Sequence, residues 1–427
     1  MTPSHFPTGA FRRAIPHAGV WLGGAAFLAL PLSVLAPLAL TPLLAACAAG
    51  LVLRMLAAGA RPAPFPAPMA AVLLAALAWM AASLAWTESA ARAPGKLAEL
   101  ALIFLAGGIA CAAAGRLDAA ERRFFARASI AGVAVGFAFL ALETASGAVV
   151  MGFLFDRLLA EPFYFTDLNR AATVAALLAW PAAAVLLAAG RRVWTAALVA
   201  ALLLILPFQE SAAALVAVII GLVVLAAARL APRAAVPGLA ALSVVALLAA
   251  PFAVPTLPAP ARIDQALPGL PTSGFHRLEI WRFVADRIAE RPIRGWGLDA
   301  SRNLPGGQAA PEARTGGGPQ LEKEAVLLPL HPHNAFLQWW LELGLPGALL
   351  GAAFLALLFR AILGGTILGR GPPVADRALA AGAVATALVI ANLSYGIWQS
   401  WWQAALWLTA AFVIAARPRG NCSATAP

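Results

Sequence analysis

The stretch His331-Pro-His333-Asn334-Ala-Phe-Leu-Gln338-Trp-Trp-Leu-Glu342-Leu-Gly344-Leu-Pro-Gly347 gathers side chains able to move a proton, touch a sugar and turn the backbone tightly. A neutral imidazole, with an ordinary pKa of about 6.5, takes a proton from a hydroxyl near neutral pH, so His333 is a candidate general base. Asn334 beside it can orient the ring or a substrate. Trp339 and Trp340 offer faces for sugar or lipid contact, and Gly344 and Gly347 permit close turning. The His331-x-His333 pair also has a spacing open to two metal ligands. A catalytic zinc needs a third protein ligand, which no nearby Cys or His supplies, leaving only Glu322, Glu324 or Glu342. The plainest alternative makes both histidines polar residues at a membrane interface. Residue types alone leave these readings open.

Of 427 residues, 62% are hydrophobic and 11% charged, with mean hydropathy +0.84, outside the range of ordinary soluble domains. Apolar runs of roughly 20 residues suit helices crossing about 30 Å of hydrocarbon, because a backbone in lipid must satisfy its own hydrogen bonds. Such runs occur near 18–34, 37–56, 67–86, 97–114, 128–145, 171–189, 193–207, 211–228, 236–254, 343–361, 378–393 and 402–416, some of them short or marked by Pro31, Pro37 or Pro181. The expected fold is an all-α polytopic membrane protein with about twelve transmembrane helices. The first run follows Arg12 and Arg13 without a clear cleavage site and is expected to be retained.

Positive residues stay on the cytoplasmic side. With the N-terminus inside, the short inner segments and tails collect Arg12, Arg13, Arg54, Arg61, Arg116, Arg122, Arg123, Arg127, Arg191, Arg192, Arg229, Arg233, Arg360, Arg370, Arg377, Arg417 and Arg419. The short outer loops hold only Arg92, Lys96, Arg157 and Arg170. Both termini are therefore expected in the cytoplasm. This asymmetry attributes the net charge of +11 to topology and the anionic inner leaflet rather than to nucleic acid. Cys47, Cys111 and Cys422 form no disulfide framework or metal spacing.

The chain divides into N-terminal membrane helices over 1–254 (about nine), an outer segment over 255–333, C-terminal membrane helices over 334–416 (about three) and a tail over 417–427. A shorter outer segment, Asp156 to Arg170, ends Tyr164-Phe-Thr-Asp167-Leu-Asn169-Arg170 before a helix. The long segment opens with prolines and carries a Gly-rich, disordered-looking patch at 305–319. Between them Leu278, Trp281, Ala285 and Ile288 recur at helical spacing opposite Glu279, Arg282, Asp286 and Glu290, predicting an amphipathic helix stopped by Pro292. Such a helix can lie on the membrane surface. The turn Arg291-Pro-Ile-Arg294-Gly295-Trp-Gly297 follows, its glycines allowing close backbone approach.

The spacing His333-Asn334, nine residues, then Gly344-x-x-Gly347 resembles the signature of the bacterial O-antigen ligase family, whose membrane domain is shared with O-antigen polymerases. Arg277-x-x-x-Trp281, Arg291-Pro-x-x-Gly-Trp-Gly297 and the large loop before the motif extend the resemblance across roughly the C-terminal 270 residues. It implies a C-type glycosyltransferase-like enzyme of the bacterial inner membrane, with its active site in the periplasm. The implied donor is a glycan on undecaprenyl diphosphate, the acceptor a sugar such as lipid A-core, and the outcome inversion. Membrane lipid is the remaining partner. No metal, nucleotide or other cofactor is implied, because the donor brings its own leaving group.

On this reading His333 is the base and His331 a neighbour. Arg170, Arg277 and Arg291 are the diphosphate candidates, guanidinium being suited to phosphate oxygens. Asn169, Asn334 and Glu210 are further substrate contacts, and Trp281, Gly295, Gly297, Gly344 and Gly347 build the motif. Arg170 follows Asn169 at a helix N-terminus, where the dipole also favours an anion. Many relatives carry Ser-Arg where this chain reads Phe208-Gln209-Glu210-Ser211-Ala212, so diphosphate binding from that corner is in doubt and Glu210 either meets a sugar hydroxyl or pairs with an arginine. A polymerase is the nearest rival. A twelve-helix transporter predicts two similar halves and midplane ionisable groups; no repeat is evident, and Glu143, Glu210 and Glu342 group toward one face. A non-catalytic scaffold is the remaining alternative.

Overall fold

The computed structural model describes residues 17–59, 65–154, 168–209, 211–259, 262–263, 272–310, 326–364 and 373–417. Every regular element among them is helical: α1 Ala18–Leu35, α2 Leu40–Ala57, α3 Ala67–Ser83, α4 Ala93–Ala114, α5 Ala119–Ser146, α6 Val149–Leu154, α7 Asn169–Ala188, α8 Arg192–Ile205, α9 Ala212–Leu230, α10 Ala235–Ala253, α11 Thr272–Glu290, α12 Ala335–Leu363, α13 Val374–Leu393 and α14 Ser400–Ala416. Ten helices among the described residues are long and apolar enough to cross a membrane, while α3 and α14 are apolar but shorter. The chain is an all-α polytopic membrane protein. Each of the twelve apolar runs coincides with a helix.

Capping moves two starts toward the N-terminus. The run expected from 128 begins at Ala119, where Asp118 Oδ1 accepts from Ala120 and Glu121 N–H at 2.8 Å and Glu121 Oε2 accepts from Asp118 N–H at 3.0 Å. The run expected from 343 begins at Ala335, because Asn334 Oδ1 accepts from Leu337 N–H at 3.0 Å. Pro31 and Pro181 are accommodated inside α1 and α7, whereas Pro37 opens the 3-10 turn between α1 and α2.

The chain forms two compact units: 1–65, 103–222 and 404–427 make the first, and 66–102 with 223–403 the second. In the first, α1 and α5 approach backbone to backbone through small residues at four-residue spacing. A Cβ on Gly132 would run into the Phe27 backbone, and one on Gly136 into Leu30. Glu143, buried near the end of α5, accepts from Val150 N–H at 3.3 Å and Met151 N–H at 2.9 Å, which caps α6.

In the second unit α11 packs on protein rather than presenting its apolar stripe to a membrane surface. Ile280, Val284, Ala285 and Ile288 share a core with Trp296, Leu337, Trp340 and Leu341. The buried stripe is rotated from the expected one, with Leu278 and Trp281 on its partly buried flank. Trp340 Nε1 donates to the Leu247 carbonyl of α10 at 2.8 Å, and Phe252 meets its ring edge-on at 5.9 Å. Part of the patch expected to be disordered is ordered: Leu327 N–H donates to Ala309 O at 2.9 Å and Leu328 N–H to Gly307 O at 2.7 Å. The stretch 311–325 lies outside the described residues, as do 155–167.

Replacing Gly132 with Leu forces α1 and α5 apart and should cost roughly 1–3 kcal/mol, read as lower thermal stability in detergent. Gly24→Leu, where nothing stands within 4 Å of a new Cβ, should leave stability unchanged; equal losses in both would refute the close-packing account.

Candidate active site

The motif segment is built around a break in α12. Gly344 adopts φ 62°, ψ −160°, a combination essentially confined to glycine. The break frees carbonyls of the preceding turn, and each finds a donor. Leu341 O accepts from Trp296 N–H and Glu342 O from Gly297 N–H, both at 2.8 Å, and Leu343 O accepts from Trp79 Nε1 at 2.7 Å. On the far side Leu345 N–H donates to Pro292 O at 2.9 Å. The 291–297 turn is thus the cap of the interrupted helix. Gly295 (φ 66°) and Gly297 (φ 93°) stand where a Cβ would press on the Glu342 carbonyl and the Thr87 backbone. At Gly347 a Cβ would strike the Leu343 side chain.

Below the helix entrance lies Glu342, fully buried. Its carboxylate accepts from Asp299 N–H at 2.6 Å, Ser301 Oγ at 2.5 Å, Gln338 Nε2 at 2.9 Å and Trp398 Nε1 at 2.8 Å. Its side chain is therefore committed to holding loops. Glu322 and Glu324 lie outside the described residues, and among the described residues no group of three His, Cys, Asp or Glu is placed to hold a metal ion.

His333 precedes the helix at φ 53°, a left-handed conformation uncommon for a side-chain-bearing residue. Its N–H donates to His331 Nδ1 at 3.2 Å, and the two rings lie 4.3 Å apart. His333 Nδ1 meets the Ser394 carbonyl at 2.5 Å. A carbonyl can only accept, so Nδ1 carries the proton and the Nε2 lone pair of the neutral ring is left for a substrate. Burial pushes the His333 pKa down to about 4; the Ser394 carbonyl opposes this, while Arg277 and His276 add to it. His331 is held well below the ordinary range, first by burial and then by His333 and Arg302. Burial also lowers Arg277, with Tyr395 acting in the opposite direction. Trp281 Nε1 donates to Pro332 O at 2.9 Å, and His276 Nε2 pairs with Val326 O at 2.7 Å, so α11 holds the irregular segment that carries the histidines.

The structure brings together His333, Arg277, Trp281 and the four motif glycines within the second unit. Other expected contacts have different employment. Asn334 is the helix cap, so its Oδ1 is spent on the backbone rather than on ring or substrate. Arg291 stacks over Trp296 at 3.6 Å and pairs with Glu88 at 3.3 Å; both contacts brace the turn. Trp340 is buried and Trp339 packs on Trp398 at 5.1 Å, so the pair belongs to the core instead of a sugar platform. Arg170 and Asn169 begin α7 in the first unit. Glu210 lies outside the described residues; its neighbour Gln209 is buried and donates through Nε2 to Thr144 Oγ1 at 2.5 Å. Sequence reading missed Ser394, His276, Tyr395 and Gln338. Only Gln338 left a signal, a polar residue four positions before Glu342 on one face of an apolar helix.

Residues 197–352, which include Arg277, His333, Gly344 and Gly347, match the profile of the family described as O-antigen ligase. Proteins of Rickettsia conorii and Rickettsia prowazekii are each 33% identical over 147 residues, 34% of this chain and 33% of theirs. A protein of Rickettsia typhi is 31% identical over 150 residues. All three bear the provisional name polysaccharide ligase. The chain spans about a third of the length of the curated relatives it matches.

Gly344→Ala combines a forbidden backbone conformation with a collision at the Ile293 carbonyl. It should disorder the helix entrance, expose the 291–297 turn to limited proteolysis and abolish whatever activity the site supports. Gly95→Ala, in open space, should do neither; a Gly344→Ala protein as protease-resistant as the parent would sink the capping account.

Proposed function

From the match of residues 197–352 to the O-antigen ligase family, we propose that this chain is a membrane glycosyltransferase that moves a glycan from undecaprenyl diphosphate to an acceptor sugar, lipid A-core being the leading candidate, at the periplasmic face. The observation that carries the reading is the His333 ring, uncharged and tied through Nδ1 to Ser394 O with Nε2 left over. The acceptor hydroxyl gives its proton to Nε2 as its oxygen bonds to the anomeric carbon. The bond from that carbon to the diphosphate oxygen breaks, and the diphosphate leaves with the electron pair. One displacement inverts the anomeric centre. Arg277, close enough to depress the His333 pKa, supplies positive charge for the departing phosphate.

A base with a pKa of about 4 is neutral throughout the working range but accepts protons weakly. A bound diphosphate reverses this, since it offsets the Arg277 charge and favours imidazolium. Donor binding thus raises the basicity of His333 at the moment it is needed. The ligase reading is preferred to a polymerase because the relatives carry the provisional name polysaccharide ligase, whereas the family's membrane domain is shared by both activities.

His333→Ala should lower transfer by about 10²–10⁴-fold while the protein remains folded in the membrane; near-normal glycan attachment would sink the base assignment. In the parent, the acid limb of kcat/KM, which reports the free enzyme, should lie near pH 4, in line with the depressed His333, and the limb of kcat at higher pH. Coincident limbs would remove the donor-activated base. In a deletion strain, long lipid-linked polymer should accumulate unattached; transfer of single units instead would mark a polymerase.

A further inference from the structure

The orientation of His333 depends on a turn that α12 itself clamps. Residues 394–399 join α13 to α14, and Ser394 supplies the carbonyl that meets His333 Nδ1 at 2.5 Å. Three residues on, Ile397 N–H donates to Gln338 Oε1 at 2.9 Å, and Trp398 Nε1 donates to Glu342 Oε2 at 2.8 Å. Gln338 Nε2 completes the clamp by donating to Glu342 Oε1 at 2.9 Å. The partners fix which way the amide points, since an N–H needs the oxygen and a carboxylate needs the nitrogen. Gln338 is 4% exposed and Glu342 fully buried, so water cannot replace either bond cheaply. Gly396, within the same turn, lies flush against the His331 ring.

We infer that Gln338 is a positioning residue for His333: by clamping the 394–398 turn it holds the Ser394 carbonyl on Nδ1 and fixes the tautomer whose Nε2 lone pair takes the proton. The inference rests on His333 being the base. With the clamp gone, the ring can place its proton on Nε2, where it is useless as a base, and a wrong tautomer at intact geometry is costly to turnover. The groups facing His333 are His331, its ring tilted against it, Arg277 and His276 from α11, and Tyr395 beside Arg277. Among the groups acting on His333, only the Ser394 carbonyl favours its charged form. Its loss therefore moves the acid limb of kcat/KM to lower pH.

The test uses the full chain in nanodiscs, with an undecaprenyl-diphosphate-linked oligosaccharide and a rough lipopolysaccharide as probes. Gln338→Leu should lower kcat at least about 10-fold, leave both KM values within about twofold and shift the acid limb downward. Gln338→Glu keeps an oxygen for Ile397 N–H and, when protonated, an O–H for the Glu342 carboxylate, so it should recover part of the rate. ¹⁵N spectra of histidine-labelled protein without substrate should show Nδ1 protonated in the parent and the protons redistributed in Gln338→Leu. Parental kinetics in Gln338→Leu, or lost activity with an unmoved limb and unmoved His333 nitrogens, would overturn the inference. If His333→Ala retains transfer, the base reading fails instead, while the nitrogen spectra still decide whether Gln338 sets the tautomer.

Discussion

Three carbonyls released by the break at Gly344 dictate the arrangement of the second unit. In hydrocarbon or protein interior an unpaired backbone group costs several kcal/mol, so a helix interrupted there survives only with donors brought to it. They come from separate places in the chain: the Trp79 indole of α3 and two backbone N–H groups of the 291–297 turn. The turn can approach only because Gly295 and Gly297 have no side chain, and it returns the favour by accepting from Leu345 beyond the break. Backbone satisfaction alone thus fixes α3, the end of α11 and both halves of α12 with respect to one another.

Glu342 extends the same logic to side chains. Four donors from the 299–301 loop, Gln338 and Trp398 converge on one carboxylate, which is how a fully buried acid escapes the penalty of isolation. Such a node joins the 3-10 turn at Ala300–Asn303 and the turn after α13 to α12, and the second of these turns carries Ser394. Preorganisation of the histidine is therefore inherited from a structural carboxylate some distance from the ring. A substitution at that carboxylate would disturb both, which is why Gln338, with fewer partners, is the more informative position.

Most of the fold was legible because apolar length is a strong signal. Hydrocarbon thickness sets it, and every expected run became a helix. Starts moved where a cap, Asp118 or Asn334, outweighed hydropathy. The motif was legible as a set of residue types, but their duties were not. Asn334, Arg291 and the Trp339-Trp340 pair look like substrate contacts in a linear reading, but Asn334 caps a helix, Arg291 stacks on Trp296 and pairs with Glu88, and the tryptophans pack in the core. Ser394 left no trace at all, since a backbone carbonyl has no sequence signature. The rotated face of α11 escaped because its partner, α12, sits far along the chain and decides which side is buried.

The two histidines divide one task. The proposed base, His333, is kept neutral by burial beside Arg277, yet burial alone would leave the ring free to choose its tautomer and the backbone free to relax from φ 53°. His331 addresses the backbone by accepting the His333 N–H, and Ser394 addresses the ring. For His331 to accept at Nδ1 it must itself be neutral with its proton on Nε2, and its own burial ensures that. Protonating His331 at Nδ1 would remove the acceptor for the His333 N–H, so its depressed basicity is a condition of the geometry, whereas His333 protonated at Nε2 keeps its bond to Ser394. On the proposed mechanism an anion held by Arg277 would offset the charge that depresses His333 and restore its basicity.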